Sequence, residues 1–196
     1  YYGREKPPPR GKKLLSGPYT IYEEGERGCE FKIYAKGGYV ALGDMLRFLS
    51  SRILLKSGGF LLHSCAVVIG SGAYIFAGPS GAGKTTIAGL FTGQKDGVLL
   101  SDETTAVTRN GNGYYGWATP FFGDFGGMGA NNKAGLKAVF FLRQSRRFGL
   151  KKLGPARVAA GLLQNIFLIG RNWRHNLDGL CDVALECGRK VAAYEL

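Results

Sequence analysis

Cysteine is scarce in this sequence, and the positions of the cysteines argue against folds held by disulfides or by zinc. The four cysteines are Cys29, Cys65, Cys181 and Cys187, and they form no CxxC pair. A disulfide scaffold or a cysteine-based zinc site is therefore not expected. No stretch resembles a secretory signal, and no apolar run approaches the roughly 20 residues that cross a bilayer. We expect a protein of the reducing cytoplasm without a membrane span.

Acidic side chains are also few. The sequence has 14 Asp and Glu residues against 26 Lys and Arg residues, a formal net charge of +12 with an isoelectric point near 9.7. Such a surface concentrates phosphates and carboxylates, so we expect an anionic ligand or partner. Nucleic acid is disfavoured as that partner. The basic residues cluster only in REKPPPRGKK and RQSRRFGLKK, and neither stretch carries a groove-reading or base-stacking module.

Glycine, in contrast, is abundant, with 32 residues among 196. Glycine permits tight turns and close backbone approach, and the sequence is 45% hydrophobic and 20% charged. These features predict a turn-rich α/β or α+β domain rather than a helix bundle. We predict a mobile, basic and proline-rich arm over residues 1–13 and a single domain over residues 14–196.

Hydrophobic periodicity predicts the first elements of that domain. The segments PYTIY and CEFKIYAKGGYVAL are typical of short strands, and a helix capped by Asp44 should end at the SGG turn of residues 57–59. Two apolar strands follow in FLLHSCAVVIGSGAYIFAG, with their turn at residues 70–72. A short helix should begin at Lys84.

The later elements carry equally local signals. An apolar strand at residues 98–100 is followed by TAVTRNGNGYYGWA, which predicts a hairpin turning at Asn-Gly. KAVFFL is typical of a buried strand, and Pro155 should open the helix PARVAAGLLQNIFLIG. The last segment predicts a helix over residues 177–186 and then a terminal strand.

The segment GPSGAGKTT, residues 78–86, has the composition of a phosphate cradle. Gly78, Gly81 and Gly83 permit a sharp turn whose N–H groups can point at one anion. Lys84 can reach the far phosphates, and Thr85 can place a hydroxyl on Mg²⁺. Chance could produce this pattern in a glycine-rich chain, but an apolar strand before it and a helix-compatible run after it favour nucleotide binding. The predicted nucleotide-binding residues are Gly78, Pro79, Ser80, Gly81, Ala82, Gly83, Lys84, Thr85 and Thr86.

Three features in one order carry a family resemblance. His63 lies in the strand before residues 78–86, and the pair Asp102 and Glu103 ends the strand after them. In these features residues 59–107 resemble the catalytic domain of HPr kinase/phosphorylase, which belongs with ATP-dependent phosphoenolpyruvate carboxykinase in one P-loop superfamily. The resemblance implies a P-loop α/β fold of that type, with a mixed sheet flanked by helices.

The resemblance further implies a kinase that uses ATP and Mg²⁺. Asp102 would take the proton of an attacking hydroxyl, and Glu103, where the family more usually has Asp, would help Thr85 to hold the metal. Either carboxylate can serve in either role, so both Asp102 and Glu103 stay candidate metal ligands. Lys84 and His63 complete the predicted catalytic set. His63 would lie beside the reacting phosphate, although its strand position also fits a buried structural histidine.

Phosphoryl transfer also needs a cation besides Lys84. We favour Lys133 and Arg143, which flank the predicted strand after FFGDFGGMGANNKAG. That glycine-rich segment is either a mobile lid or an ordinary connector. Its DFG tripeptide lacks the other protein-kinase motifs and is interpreted as chance, and His175 matches no pattern.

The sequence thus predicts a kinase for a hydroxyl acceptor, either a protein or peptide serine or a small molecule. The alternative is a nucleotide-binding regulatory module or slow ATPase that has no acceptor site. Carboxykinase-like action on a keto acid is less favoured, because no carboxylate-binding arginine can be located. A homo-oligomer is compatible with each of these.

Overall fold

The chain alternates strands and helices in the order of a mixed α/β protein. The computed structural model describes residues 12–15, 19–24, 30–35, 39–91, 97–121, 123, 131–145, 147–167 and 177–196. Its elements are β1 (Lys12–Leu15), β2 (Tyr19–Glu24), β3 (Glu30–Ala35), α1 (Tyr39–Lys56), β4 (Phe60–Ile69), β5 (Gly72–Ala77), α2 (Lys84–Phe91), β6 (Gly97–Ser101), β7 (Thr104–Asn110), β8 (Gly113–Trp117), β9 (Lys133–Phe141), β10 (Lys151–Lys152), α3 (Pro155–Asn165), α4 (Leu177–Lys190) and β11 (Ala192–Glu195).

A small antiparallel sheet in the order β1-β2-β3 packs against α1. Ile21 of β2 shares an apolar cluster with Met45 and Phe48 of the helix. Glu23 accepts hydrogen bonds from Arg52 at 2.8 Å and Lys56 at 2.7 Å, which attach the last turns of α1 to the sheet. The helix therefore has one apolar and one ionic attachment to this sheet.

The large sheet has eight strands in the order β10-β11-β9-β5-β4-β7-β8, with β6 paired to β4. Strand β9 runs parallel to β5 and β11, and the remaining pairs are antiparallel. An additional pairing joins β8 to β9. The five strands β9, β5, β4, β7 and β8 therefore form a closed ring, which we call the strand ring.

Strand β4 shows why the centre of this sheet forms. It is an apolar run, and successive side chains of a strand point to opposite faces. On one face Leu62 and Ala66 pack with Leu162 of α3 and Ala184 of α4. On the other face Cys65 and Val67 pack with Ala88 of α2. The mixed sheet is thus covered by helices on both faces, as expected.

Several predicted bounds are wrong. Residues 12 and 13 do not belong to an arm, because they pair with β2 in the small sheet, and residues 1–11 lie outside the described ranges. The predicted strand through Val40 is wrong, since helix α1 already begins at Tyr39. Asp44 consequently lies within the helix rather than at its cap. The good helix formers that follow Val40 and the packing of α1 on β4 outweigh the strand preference of Tyr-Val.

Helix α3 ends earlier than predicted. Ile166 is extended and forms an isolated antiparallel bridge with Leu62, and the N–H of Phe167 donates to the carbonyl of Leu61 at 3.0 Å. The chain therefore leaves the helix in order to pair with β4. The hairpin β7–β8 is confirmed, but the left-handed residue of its turn is Gly111, with φ +52°. No helix among the described residues is long and apolar enough to cross a membrane.

Candidate active site

The segment of residues 78–86, which we call the glycine loop, joins β5 to α2. Gly81 and Gly83 adopt φ values of +77° and +106°, a backbone region that favours glycine. A Cβ atom added at Gly83 would meet nothing within 4 Å, so the loop faces open space at this position. At Gly78 an added Cβ would lie 3.1 Å from the carbonyl oxygen of Leu142. The glycines thus serve the turn and the close packing of the loop on the chain after β9.

Lys84 is the first residue of α2, and its buried side chain reaches back across the glycine loop. Its Nζ donates to the carbonyl oxygens of Gly78 at 2.8 Å and Pro79 at 3.0 Å. Burial is the main cause that lowers the pKa of Lys84, against the opposing attraction of Glu103. The first turn of a helix also leaves N–H groups without partners inside the helix. A helix start, open glycine backbone and a lysine are therefore assembled in one place, as an anion site requires.

The carboxylates of Asp102 and Glu103 lie in a short bend between β6 and β7, which follow one another along β4. The Ser101 hydroxyl accepts from the N–H of Thr104 at 3.0 Å and of Glu103 at 3.3 Å, and donates to the carbonyl of Thr104 at 2.7 Å. The N–H of Ser64 donates to the carbonyl of Glu103 at 3.0 Å. Backbone and hydroxyl groups therefore fix the turn and leave the two carboxylates to point elsewhere.

Both carboxylates meet at Gly123. Its N–H donates to Oδ1 of the buried Asp102 at 3.1 Å. A Cβ added at Gly123 would lie 3.2 Å from Oε2 of Glu103 and 3.4 Å from Oδ2 of Asp102. Oxygens of both side chains therefore converge on one small region, and a larger residue at position 123 would occupy it.

His63 lies on β4 beside this turn. Its Nδ1 is 3.2 Å from Oε1 of Glu103, and its ring meets the ring of Phe167 edge to face at a centroid distance of 5.7 Å. Burial lowers the pKa of His63, the charges of Lys84 and Arg47 lower it further, and Glu103 opposes them. On balance these effects favour the neutral form of the imidazole. Its side chain keeps 30% exposure, so it is not a fully buried core histidine.

One cavity of about 500 Å³ brings these groups together. From the glycine loop its lining includes Ser80, Gly81, Gly83, Lys84, Thr85 and Thr86. From the opposite side it includes His63, Asp102, Glu103, Gly123 and Arg47. We call this cavity the loop pocket. Most of the residues predicted from sequence as catalytic, nucleotide-binding or metal-binding thus border a single space.

The remaining loop residues face a second cavity. Gly78, Pro79 and Ala82 line a space of about 530 Å³ that is bounded by the chain after β9 and by α3. Arg143 is among its lining residues, and Nε2 of Gln144 donates to the carbonyl of Gly81 at 2.8 Å. Arg143 therefore lies next to the glycine loop, but it does not line the loop pocket.

Lys133 lies at the opposite end of the strands from the glycine loop. Strands β5 and β9 are parallel, so the start of β9 adjoins the start of β5, whereas the glycine loop follows the end of β5. The ammonium of Lys133 lies 4.4 Å from the ring centroid of Trp117 and 5.3 Å from that of Tyr115. The structure therefore gives Lys133 an aromatic environment, and Lys133 does not line the loop pocket.

Arg47 also borders the loop pocket, although no sequence motif marks it. This arginine projects from α1 into the loop pocket, and its guanidinium carbon lies 4.9 Å from the ring centroid of Phe121. Arg52 lies five residues further along α1, about 140° around the helix, and pairs with Glu23 instead. The packing of α1 on β4 decides which of these two faces meets the loop pocket.

The oxygen donors of the loop pocket suit Mg²⁺ better than a metal ion whose ligands all come from the protein. Among the described residues no group of three or more His, Cys, Asp and Glu side chains could hold a metal ion. Magnesium is commonly held by one or two carboxylates together with phosphate oxygens and water. Asp102, Glu103 and the exposed Thr85 can supply that share. The DFG tripeptide, most of the predicted lid and His175 lie outside the described residues.

Comparisons with known proteins identify no family for this chain. No family model matches the sequence, and no curated protein matches it. Among solved structures, the HPr(Ser) kinase/phosphatase from Coxiella burnetii aligns with 62% of this chain and 88% of its own, at 12% identity and a TM-score of 0.38. A TM-score of this size does not establish a common fold, so the interpretation of the loop pocket depends on its own geometry.

Proposed function

We propose that the chain is an ATP- and Mg²⁺-dependent kinase that transfers the γ-phosphoryl group to a hydroxyl. The acceptor would be a serine of a protein or peptide, or a small molecule. The observation that carries the proposal is the loop pocket, in which the glycine loop faces Asp102, Glu103 and His63. Phosphate binding and a set of carboxylates are the two parts that enzymatic phosphoryl transfer combines.

The glycine loop would hold the phosphates of ATP. The free N–H groups at the start of α2 lie at the positive end of the helix dipole. The glycine backbone lets an anion approach these groups closely. Lys84 would exchange its contacts with the carbonyls of Gly78 and Pro79 for contacts with phosphate oxygens. Bound Mg²⁺ would supply neutralisation of charge on the β- and γ-phosphates, with Thr85 and one or both carboxylates as its protein ligands.

The proton of the acceptor hydroxyl would pass to a carboxylate. In the transfer, the bond between the γ-phosphorus and the bridging oxygen of ATP breaks, and a bond between that phosphorus and the acceptor oxygen forms. ADP leaves, and the hydroxyl proton goes to Asp102 and then to solvent. His63, bound to Glu103 at 3.2 Å, would orient that second carboxylate.

A turnover assay with γ-labelled ATP and Mg²⁺ tests this proposal. Free serine, serine-containing peptides and HPr serve as acceptors, and wild type is compared with Lys84→Ala and Asp102→Asn. We expect label on an acceptor, and a loss of at least about 100-fold in each variant. Lys137→Ala and Asp178→Asn are matched controls on exposed strand and helix positions and should retain activity.

The assay also separates the kinase from its alternative. If ATP binding depends on Lys84 but label moves only to water, and Asp102→Asn changes nothing, the chain is a regulatory nucleotide-binding module or slow ATPase. If neither ATP binding nor transfer depends on Lys84, the glycine loop does not bind phosphate and both functions are excluded.

A further inference from the structure

Arg47 is the one arginine among the described residues that lines the loop pocket. It belongs to α1, whereas the glycine loop and the carboxylates belong to the large sheet and its connections. Besides Mg²⁺ and the lysine of the loop, an arginine often stabilises the charge that spreads over the equatorial oxygens of the moving phosphoryl group. Lys133 and Arg143 do not line the loop pocket, so Arg47 is the cation that the fold brings there.

Two phenyl rings hold the guanidinium of Arg47. Its carbon lies 4.9 Å from the ring centroid of Phe121 and 5.9 Å from that of Phe167. The ring of Phe167 also contacts His63, at 5.7 Å. Two residues after Phe121, the N–H of Gly123 binds Asp102. Arg47 is therefore placed at the end of the pocket that contains the histidine and the carboxylates.

Arg47 keeps hydrogen-bonding capacity for a ligand. Its Nη1 lies 3.5 Å from Oδ1 of the exposed Asp44, the outer limit for a hydrogen bond. Its Nε is buried without a hydrogen-bond partner within the described ranges, as is the Nε of Arg52, so any contact with a ligand falls to the Nη atoms. On the same helix, Arg52 is held by the half-buried Glu23 at 2.8 Å. A guanidinium positioned by rings but only weakly paired suits a planar, forked contact with phosphate oxygens.

The charges around the pocket agree with this role. Asp102 and Glu103 line the same pocket as Lys84 and Arg47. A bound triphosphate would add several negative charges, more than Lys84 and Mg²⁺ together neutralise. We propose that Arg47 contacts the phosphoryl group in transit and stabilises its charge, an inference that rests on the proposed function.

Calorimetric binding of ADP and Mg²⁺, with and without fluoroaluminate, tests this inference without a known acceptor. Fluoroaluminate imitates the phosphoryl group during transfer, so we expect it to tighten ADP binding by wild type on the order of 100-fold or more. Arg47→Gln should lose at least about tenfold of that tightening, while its affinity for ADP and Mg²⁺ alone changes less than about threefold. Arg47→Lys should lose part of it, because it keeps the charge without the fork. Arg52→Gln, the matched control on α1, should retain all of it.

A second measurement needs no variant. Phenylglyoxal should modify Arg47 in the wild-type protein, and ADP with fluoroaluminate should protect Arg47 more strongly than ADP alone. Mass spectrometry of the peptides locates the modified arginines, so the test remains available if Arg47→Gln does not fold.

The outcomes are distinct. If wild type does not bind ADP and Mg²⁺, the proposed function fails and this inference fails with it. If ADP binds but fluoroaluminate does not tighten it, or tightens it equally in Arg47→Gln, the role of Arg47 is overturned while nucleotide binding stands. Equal protection of Arg47 by ADP alone would also overturn this role. Arg47 would then contact the bound nucleotide rather than the phosphoryl group in transit.

Discussion

The imidazole Nδ1 of His63 lies 3.2 Å from Oε1 of Glu103. This contact joins the central strand β4 to the turn that carries both candidate catalytic carboxylates. A neutral imidazole in this position would donate its Nδ1 proton to Glu103 and keep Nε2 as an acceptor. It would then orient Glu103 without adding a full positive charge to the pocket.

The lowered pKa of His63 predicts an acid-sensitive contribution to stability. The folded state binds its proton less readily than the unfolded state, whose pKa is near the ordinary 6.5. Stability from the neutral ring is therefore present above about pH 6.5 and is lost as the pH falls through the folded pKa. Urea unfolding at pH 7.5 and 5.5 should show that wild type loses more stability than His63→Gln. A larger loss in the variant would mean that attraction to Glu103 outweighs burial.

The left-handed backbone of Gly83 predicts a loss of both stability and nucleotide affinity in Gly83→Ala. A side chain at φ +106° strains the backbone by about 1–2 kcal/mol and distorts the glycine loop. Gly70→Ala is the matched control, since Gly70 has φ +58° and open space in the β4–β5 turn, far along the strands from the loop. Thermal unfolding and ADP titration should show destabilisation in both variants, smaller in Gly70→Ala because φ +58° is within the allowed left-handed region, and weakened binding only in Gly83→Ala. Equal ADP affinity in the two variants would show that nucleotide binding does not depend on the backbone geometry of the glycine loop.

Burial predicts an unreactive thiol beside the loop pocket. Burial, with a smaller effect of Asp102, raises the pKa of Cys65 to about 12, and burial raises the pKa of Cys187 to about 12. Because the thiolate is the reactive form, native alkylation with iodoacetamide at pH 8 should modify the partly exposed Cys181 before either. Peptide mapping of the alkylated protein measures the order. Early modification of Cys65 would contradict its buried position.

Close packing at Gly161 predicts a size limit in α3. A Cβ at this position would lie 2.6 Å from Cε1 of Phe141, so Gly161→Ala should lower the free energy of unfolding by about 1–3 kcal/mol. Gly179→Ala, on the exposed face of α4 with nothing within 4 Å, should instead be neutral or stabilising by up to about 1 kcal/mol. Denaturant titrations of both variants provide the comparison. A harmless Gly161→Ala would show that Phe141 can move aside.

Local signals explain what the sequence could predict. The glycine loop, the two strands before it and the hairpin at Gly111 follow from turn residues and apolar runs within a few residues of each other. The positions of His63 and of the acidic pair relative to the loop follow from the adjacency of β4, β5 and β6. For these parts of the fold, short-range patterns and the final packing agree.

Long-range packing explains what the sequence could not predict. Arg47 reaches the loop pocket because α1 lies on β4, and no pattern within α1 shows which of its faces meets that pocket. Lys133 lies within the segment predicted as a lid, but the parallel pairing of β9 with β5 puts it at the opposite end of the strands from the glycine loop. The early end of α3 depends on a bridge between Ile166 and Leu62, a pairing across about a hundred positions of chain.

The strand ring gives the loop pocket a particular tolerance to change. A slip of one residue between two strands would turn every side chain of one strand to the opposite face, and in a closed ring one pairing cannot slip unless others shift with it. The distance between His63 on β4 and the end of β5 is therefore determined by five mutually constrained pairings rather than by the length of any connection. Extra residues inserted at the β7–β8 turn, beside Gly111, would lengthen an exposed tip and leave the spacing of the site intact.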